Sequence, residues 1–329
     1  MLSPSVFSRL SDARILITGA SGFIGQHLCA ALAQTKALCS AMHYHRPPVN
    51  NSTVTLGDSV DRVDGDLLDV ESLRRIVKEL QPTHIFHLAA ATSTARGFIT
   101  AKEMIQTNIL GTVNLLQALE GISYTCFVHT GSAEEYGNGT APFYETDSLA
   151  PVSPYSASKS GATLFCQMYH RTFQAPIVIL RPFLVYGPGQ RPDKLIPQAI
   201  LAALENRSFP MTSGQQTREF TYIDDIVSGF LKAAVTPEAI GEIINLGTGT
   251  AITVLEVVQL IQKLTNSRMT LEPGALPSRA AEIMDYRCDN SKARTILSWT
   301  PEVSLEDGLR KTISWYQDQI KTDDVRQGL

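Results

Sequence analysis

The stretch TGASGFIGQHL, Thr18 to Leu28, spaces three glycines as G-x-x-G-x-x-G directly after the apolar run RILI. A strand that turns sharply into a helix needs this pattern. Gly19 permits the tight exit, Gly22 lets the backbone approach a diphosphate, and Gly25 lets the helix lie close on the sheet. The N–H groups at the start of such a helix, around Ser21, Phe23 and Ile24, face outward and suit an anion. The spacing points to a dinucleotide-binding turn, although a strand-to-helix turn that binds nothing can carry glycines too.

Working outward, the second apolar run ends in AMHYHRPP, which offers no carboxylate for a free ribose 2′-hydroxyl and does offer Arg46. The predicted cofactor is therefore NADP(H) in preference to NAD(H). His43 and His45 either assist there or face solvent. In GDLLD, Asp66 with Leu67 beside it either meets an adenine edge or caps the next helix.

Short β-branched runs alternate with helix-length amphipathic stretches: ARILIT and 23–34, ALCSAMH, VDGDLLD and 70–80, THIFHLAA and 100–119, TCFVHTGS and 155–173, PIVILRPF. This alternation predicts an α/β fold, a Rossmann-type doubly wound parallel sheet. After Arg181 the rhythm breaks at YGPGQRPD. Helices are expected at 196–205, 254–264, 291–297 and 305–316, and QQTREFTYIDDIV reads as a strand entering an Asp-capped helix. A smaller mixed C-terminal substrate domain follows, which divides the chain into 1–182 with 218–248 returning to it, and 183–217 with 249–329. The first dozen residues read as a loose leader.

The 329 residues are 43% hydrophobic and 18% charged, with a net charge of −4, enough apolar content for a substantial core. Lys and Arg are scattered, which argues against nucleic-acid and anionic-membrane partners. The five cysteines form no C-x-x-C pair, so reduced thiols are expected, with no metal site and a cytoplasmic address.

The motifs TGASGFIG, DGDLLD, HLAA, TNILGTVNLL, TGSAEEYG, PYSASK and LRPFLVYGPGQ, in this order, resemble the extended short-chain dehydrogenase/reductase superfamily across nearly the whole chain. The resemblance makes Ser132, Tyr155 and Lys159 the catalytic set. Tyr155 and Lys159 stand at i and i+4 on one helix face. A phenol with a pKa near ~10 needs help at neutral pH, which the Lys159 ammonium and a positive nicotinamide ring would supply by stabilising the phenolate. Ser132 would hydrogen-bond the substrate oxygen. Ala89 and Ala90 would leave room for the nicotinamide half, and Asn108 would brace helix and sheet beneath it.

The same resemblance implies a nucleoside-diphosphate sugar substrate, with Ser93, Arg218 and Arg279 among its contacts, and base contacts from loops around Pro197 and Phe209. One departure is Leu184, which stands where such epimerases and dehydratases usually carry Asn. Glu134 matches the base of 4,6-dehydratases, but Ala133 falls where the dTDP-glucose enzymes have an Asp acid, so elimination of that type is not expected and a 4,6-dehydratase of another type stays as a lesser alternative. The phrase GSAEEYG is similar to that of GDP-6-deoxy-4-keto-mannose reductases. The expectation is NADPH-dependent reduction of a 4-keto-6-deoxy sugar nucleotide, with a 4-epimerase as the alternative and a non-enzymatic nucleotide sensor disfavoured by the intact Ser132, Tyr155 and Lys159. Surplus apolar faces on 100–119 and 155–173 resemble the four-helix bundle through which this family forms homodimers.

Overall fold

Apolar runs without polar alternation are stable as strands only when both faces are covered, and the chain places them in one parallel sheet between helices. The computed structural model describes residues 4–44, 60–92, 98–278 and 282–327. The first half runs α1 (Pro4–Arg9), β1 (Arg14–Thr18), α2 (Phe23–Leu32), β2 (Leu38–His43), β3 (Val60–Asp64), α3 (Val70–Leu80) and β4 (His84–His87). Next come α4 (Ala101–Met104), a π turn over Ile105–Leu110, α5 (Gly111–Ala118), β5 (Cys126–Thr130), α6 (Pro154–Phe173) and β6 (Ile177–Pro182). The remainder holds β7 (Leu184–Tyr186), α7 (Leu195–Leu204), β8 (Phe209–Met211), β9 (Thr217–Arg218), β10 (Phe220–Tyr222), α8 (Ile223–Ala234) and β11 (Ile243–Leu246). It closes with β12 (Ile252–Thr253), α9 (Val254–Thr265), β13 (Leu271–Pro273), β14 (Asp285–Tyr286), α10 (Ser291–Leu297) and α11 (Leu305–Gln327).

Seven strands form the main sheet in the order β11-β6-β5-β4-β1-β2-β3, each pair parallel. The period of two sorts their side chains. Ile15, Ile17, Phe86 and Val128 join a core with α2 and α8, while Leu16, Ile85 and Phe127 join a second core with α3, α5 and α6. The chain winds one way from β1 through β2 to β3, then returns to β4 and continues through β5 and β6. The switch point between β1 and β4 opens a crevice at the strands' carboxyl ends, where doubly wound sheets bind ligands.

β11 joins the sheet edge beside β6 after the intervening excursion. The smaller pieces of sheet pair β7 with β10, β8 with β13, and β9 with both β12 and β14. Three local expectations are corrected. Residues 4–9 form a helix, not a loose leader: Val6 and Leu10 are buried, and Arg9 Nη1 donates to the Val235 carbonyl at 3.0 Å. The Asp-capped helix is not capped by Asp: α8 begins after Tyr222 with no side-chain cap. Asp225 instead accepts from the Glu302 and Val303 amides at 3.0 and 3.1 Å, tying α8 to the chain ahead of α11. The QQTREF stretch breaks into β9 and β10, because β9 pairs with β12 and β14 while β10 pairs with β7. Among the described residues no helix is long and apolar enough to cross a membrane. All five cysteines are buried, unpaired thiols.

Candidate active site

The glycine turn sits at the switch point. Gly19 has φ +72°, and a Cβ there would stand 2.5 Å from the Ala89 amide nitrogen, so only glycine lets the ends of β1 and β4 approach this closely. A Cβ on Gly25 would fall 2.2 Å from the Gly19 carbonyl oxygen. Gly22 is different: a Cβ there would meet only Gly19 O, at 3.1 Å, and its other side is open. It N-caps α2 with no side-chain cap, which leaves the first-turn amides near Ser21, Phe23 and Ile24 for an incoming acceptor. These residues fit a dinucleotide diphosphate.

Around this turn, Ala89 and Ala90 are half-buried at the end of β4, and Ala89 N donates to Thr18 Oγ1 at 3.3 Å. Asp66 Oδ1 accepts from the Leu68 amide at 2.9 Å, but the cap of α3 is Asp69, whose carboxylate accepts from Ser72 N. The capping alternative for Asp66 is thereby removed. Leu67 is buried under Gly111. β2 ends in His43, with Asp64 opposite it on β3, and no carboxylate stands on β2 itself. Arg46, His45, Ser93 and Arg279 lie outside the described residues.

Asn108 lies in the π turn, where the widened helix lets its side chain reach two neighbours. Its Oδ1 accepts from Ala91 N at 2.7 Å, and its Nδ2 donates to Ala91 O and to Ser158 Oγ at 3.0 and 2.8 Å. One side chain thus joins the chain leaving β4 to α6. Pro154 at the first position and the reciprocal Ser153–Ser156 capping box start α6 at a defined residue, just before Tyr155.

Ser132, Tyr155 and Lys159 meet at the end of β5. Ser132 Oγ accepts from Glu134 N at 3.2 Å, and the Ser132 side chain is near enough to the Tyr155 phenol to pull its pKa downward. Lys159 is 3% exposed, and its Nζ donates to the Thr130 carbonyl. Burial pushes the ammonium down to about 8, against a smaller upward pull from the Glu135 charge. The Tyr155 phenol is raised above the ordinary tyrosine value, first by burial and then by the Glu134 carboxylate, with Ser132 opposing. The expected lowering by Lys159 is not seen in the protein alone: burial and the Glu134 and Glu135 carboxylates set the direction, and only Ser132 opposes them.

Glu134 opens onto a cavity of about 430 Å³ whose walls include Ser153, Lys194, Gln198, Arg218 and Tyr286. Ile196 and Phe209, next to and within the loops expected to meet the base, also line it, as does Leu184. Arg218 is held by Glu282, donates to the Ile283 carbonyl at 2.7 Å, and lies 5.8 Å from the Tyr286 ring centre.

Three acidic residues and an aromatic escaped sequence reasoning: Glu282 and Tyr286 beside Arg218, the buried Glu135, and the buried Glu219. Glu219 accepts from the Gly249 and Cys288 amides at 2.6 and 2.8 Å, and burial raises it to about 7. For Glu135 a signal existed in Arg181, a charged residue inside the apolar run PIVILRPF, which demands an anionic partner.

The NAD dependent epimerase/dehydratase family matches residues 15–247 of the chain. The dTDP-D-glucose 4,6-dehydratase of Bos taurus is 31% identical over 320 residues, covering 93% of this chain and 89% of that protein. The solved structure of an epimerase from Methanothermobacter thermautotrophicus superposes with a TM-score of 0.90 at 30% identity, covering 97% of this chain and 96% of that one. A UDP-glucuronic acid 4-epimerase from Bacillus cereus, solved in complex with UDP-glucuronic acid and NAD, gives 0.85 at 32% identity, with 93% and 99% covered. The seven-stranded parallel sheet, the glycine turn at its switch point and this similarity along nearly the whole chain lead to one conclusion: the chain belongs to the NAD dependent epimerase/dehydratase family.

Proposed function

We propose that the protein is a nucleoside-diphosphate-sugar 4-epimerase that uses a bound NAD. The observation that carries this reading is the grouping of Ser132, Tyr155 and Lys159 with Ala133 beside them. The set suffices to oxidise and reduce a carbon bearing a hydroxyl, whereas elimination needs an acid for the leaving hydroxyl, and Ala133 has none. The 4-epimerases among its structural relatives support the same choice.

In this reading Ser132 orients the C4 oxygen and Tyr155 takes and returns its proton. Bound NAD supplies a hydride acceptor and a positive ring beside the buried phenol. Lys159, anchored on Thr130, contributes a fixed cation. Arg218 and Arg279 hold the diphosphate, where a planar guanidinium suits paired anionic oxygens. Residues 1–182 with 218–248 carry the cofactor, and 183–217 with 249–329 the sugar nucleotide, with Arg218 at the boundary turned to the latter.

A second reading, NADPH-dependent reduction of a 4-keto-6-deoxy sugar nucleotide, is favoured by the β2 terminus, where His43 stands in place of a carboxylate. One experiment separates the two. The purified protein is stripped of nucleotide, titrated with NAD and NADPH, and then given UDP-glucose, UDP-glucuronate or a GDP-4-keto-6-deoxy sugar while products are followed by proton NMR. Interconversion of C4 epimers with no net cofactor consumed supports the epimerase. Stoichiometric NADPH oxidation by the keto sugar sinks it in favour of the reductase.

A further inference from the structure

Directly behind Ser132 lies a buried ion pair that the proposed chemistry does not itself use. Glu135 is 0% and Arg181 1% exposed. The two carboxylate oxygens divide their work. Oε1 accepts from the Ser132 backbone N–H at 2.7 Å and from Thr163 Oγ1 at 3.1 Å. Oε2 accepts from Arg181 Nε and Nη2 at 3.0 and 2.9 Å. Arg181 in turn lies over the Tyr136 ring, 4.6 Å from its centre, and the Tyr136 hydroxyl donates to Asn245 Oδ1 at 2.7 Å.

Thr163 is one turn beyond Lys159 on α6, so Oε1 links the serine-bearing loop to the helix that carries Tyr155 and Lys159. Gly131 makes room for the link, because a Cβ there would stand 2.8 Å from Oε1. We propose that Glu135, anchored by Arg181, is a positioning residue: it holds the Ser132 loop against α6 at the spacing where Ser132 meets Tyr155, and keeps an anion beneath Lys159. The inference rests on the proposed roles of Ser132, Tyr155 and Lys159.

Among the described residues the other titratable groups around Lys159 are Tyr155 and Cys166 on its own helix, both raised by burial and so neutral, and His87 on β4 and His129 on β5. Both imidazoles are held neutral by burial. Glu135 is therefore the anion that favours the ammonium.

The test uses pairwise replacement, since removing one member of a buried ion pair strands the other, whereas replacing both with apolar groups is often neutral for stability. Glu135→Leu/Arg181→Met should melt near the wild type, bind NAD with unchanged affinity, and lose about 10²-fold in kcat through misplacement of Ser132. A folded double variant with wild-type kcat overturns the positioning role. Glu135→Gln/Arg181→Met keeps the acceptor for Ser132 N–H and removes the charge, so kcat should recover most of that loss.

In the single variant Glu135→Gln, where Arg181 keeps its charge, the Lys159 ammonium should titrate below about 8. It is followed by the 13Cε resonance of labelled lysine, assigned with Lys159→Met. An unmoved titration overturns the counter-charge. If the double variants do not fold, Thr163→Val leaves the ion pair intact and cuts only the tether to α6: a several-fold fall in kcat at unchanged KM supports the link, and full activity opposes it. The lysine titration needs no substrate. Absence of turnover by the wild type on every nucleotide sugar would thus defeat the proposed function while this inference is still decided.

Discussion

At the scale of the residue, the site sets two ionisations against each other. The phenol of Tyr155 is raised by burial, and the ammonium of Lys159 is lowered by it to about 8. Tyr155→Phe removes the proposed proton carrier and should lower kcat by about 10²- to 10⁴-fold without shifting the melting temperature appreciably, as measured by steady-state assay and calorimetry. Lys159 makes two predictions of opposite sign. Activity that needs the ammonium declines as pH rises through about 8. Stability moves the other way, because a lysine with a depressed folded-state value binds its proton less tightly when folded. Its penalty is present in full below about 8 and is relieved as pH climbs toward the ordinary 10.5. Urea unfolding of wild type and Lys159→Met across this range checks the sign: the difference between them should shrink as pH rises.

At the scale of the element, α6 is the rigid carrier of the site and the π turn is its brace. The capping box at Ser153 fixes where α6 begins, hence which helix face Tyr155 and Lys159 present. Asn108 makes three hydrogen bonds from the π turn to Ala91 and Ser158. Asn108→Ala strands those partners in a buried place and should cost about 1–3 kcal/mol, read by urea unfolding. The same variant should lower kcat, since α6 is then free to shift against the end of β4. The Y-x-x-x-K spacing and the helix that bears it are legible from the sequence because both depend on neighbours within one turn. The π turn is not, since it arises from the demand of Asn108 for partners on two other segments.

At the scale of the whole molecule, the π turn and α6 leave Ile105, Leu110, Leu164, Phe165 and Met168 exposed. An apolar band of this kind on adjoining helices suits a second copy of the chain, and we propose a homodimer through a four-helix bundle. Light scattering should give twice the chain mass at micromolar concentration, and Leu164→Glu/Phe165→Lys should give the chain mass with an unchanged circular dichroism spectrum. A monomeric wild type refutes the bundle.

The sequence by itself determined the parallel sheet and the glycine turn, because each is written in a short-range pattern: apolar runs alternating with helix-length stretches, three glycines in seven residues. It also set Tyr155 and Lys159 one turn apart on a helix, while their role with Ser132 came from the family resemblance. Only the tertiary structure decided what surrounds them. Glu135 finds Arg181 across 46 positions, Arg218 finds Glu282 across 64, and Glu219 finds Cys288 across 69. In sequence nothing tells Glu135, Glu219 or Glu282 which of these distant partners each will meet. Folding takes them out of water, and a buried charge must find partners wherever the chain brings them.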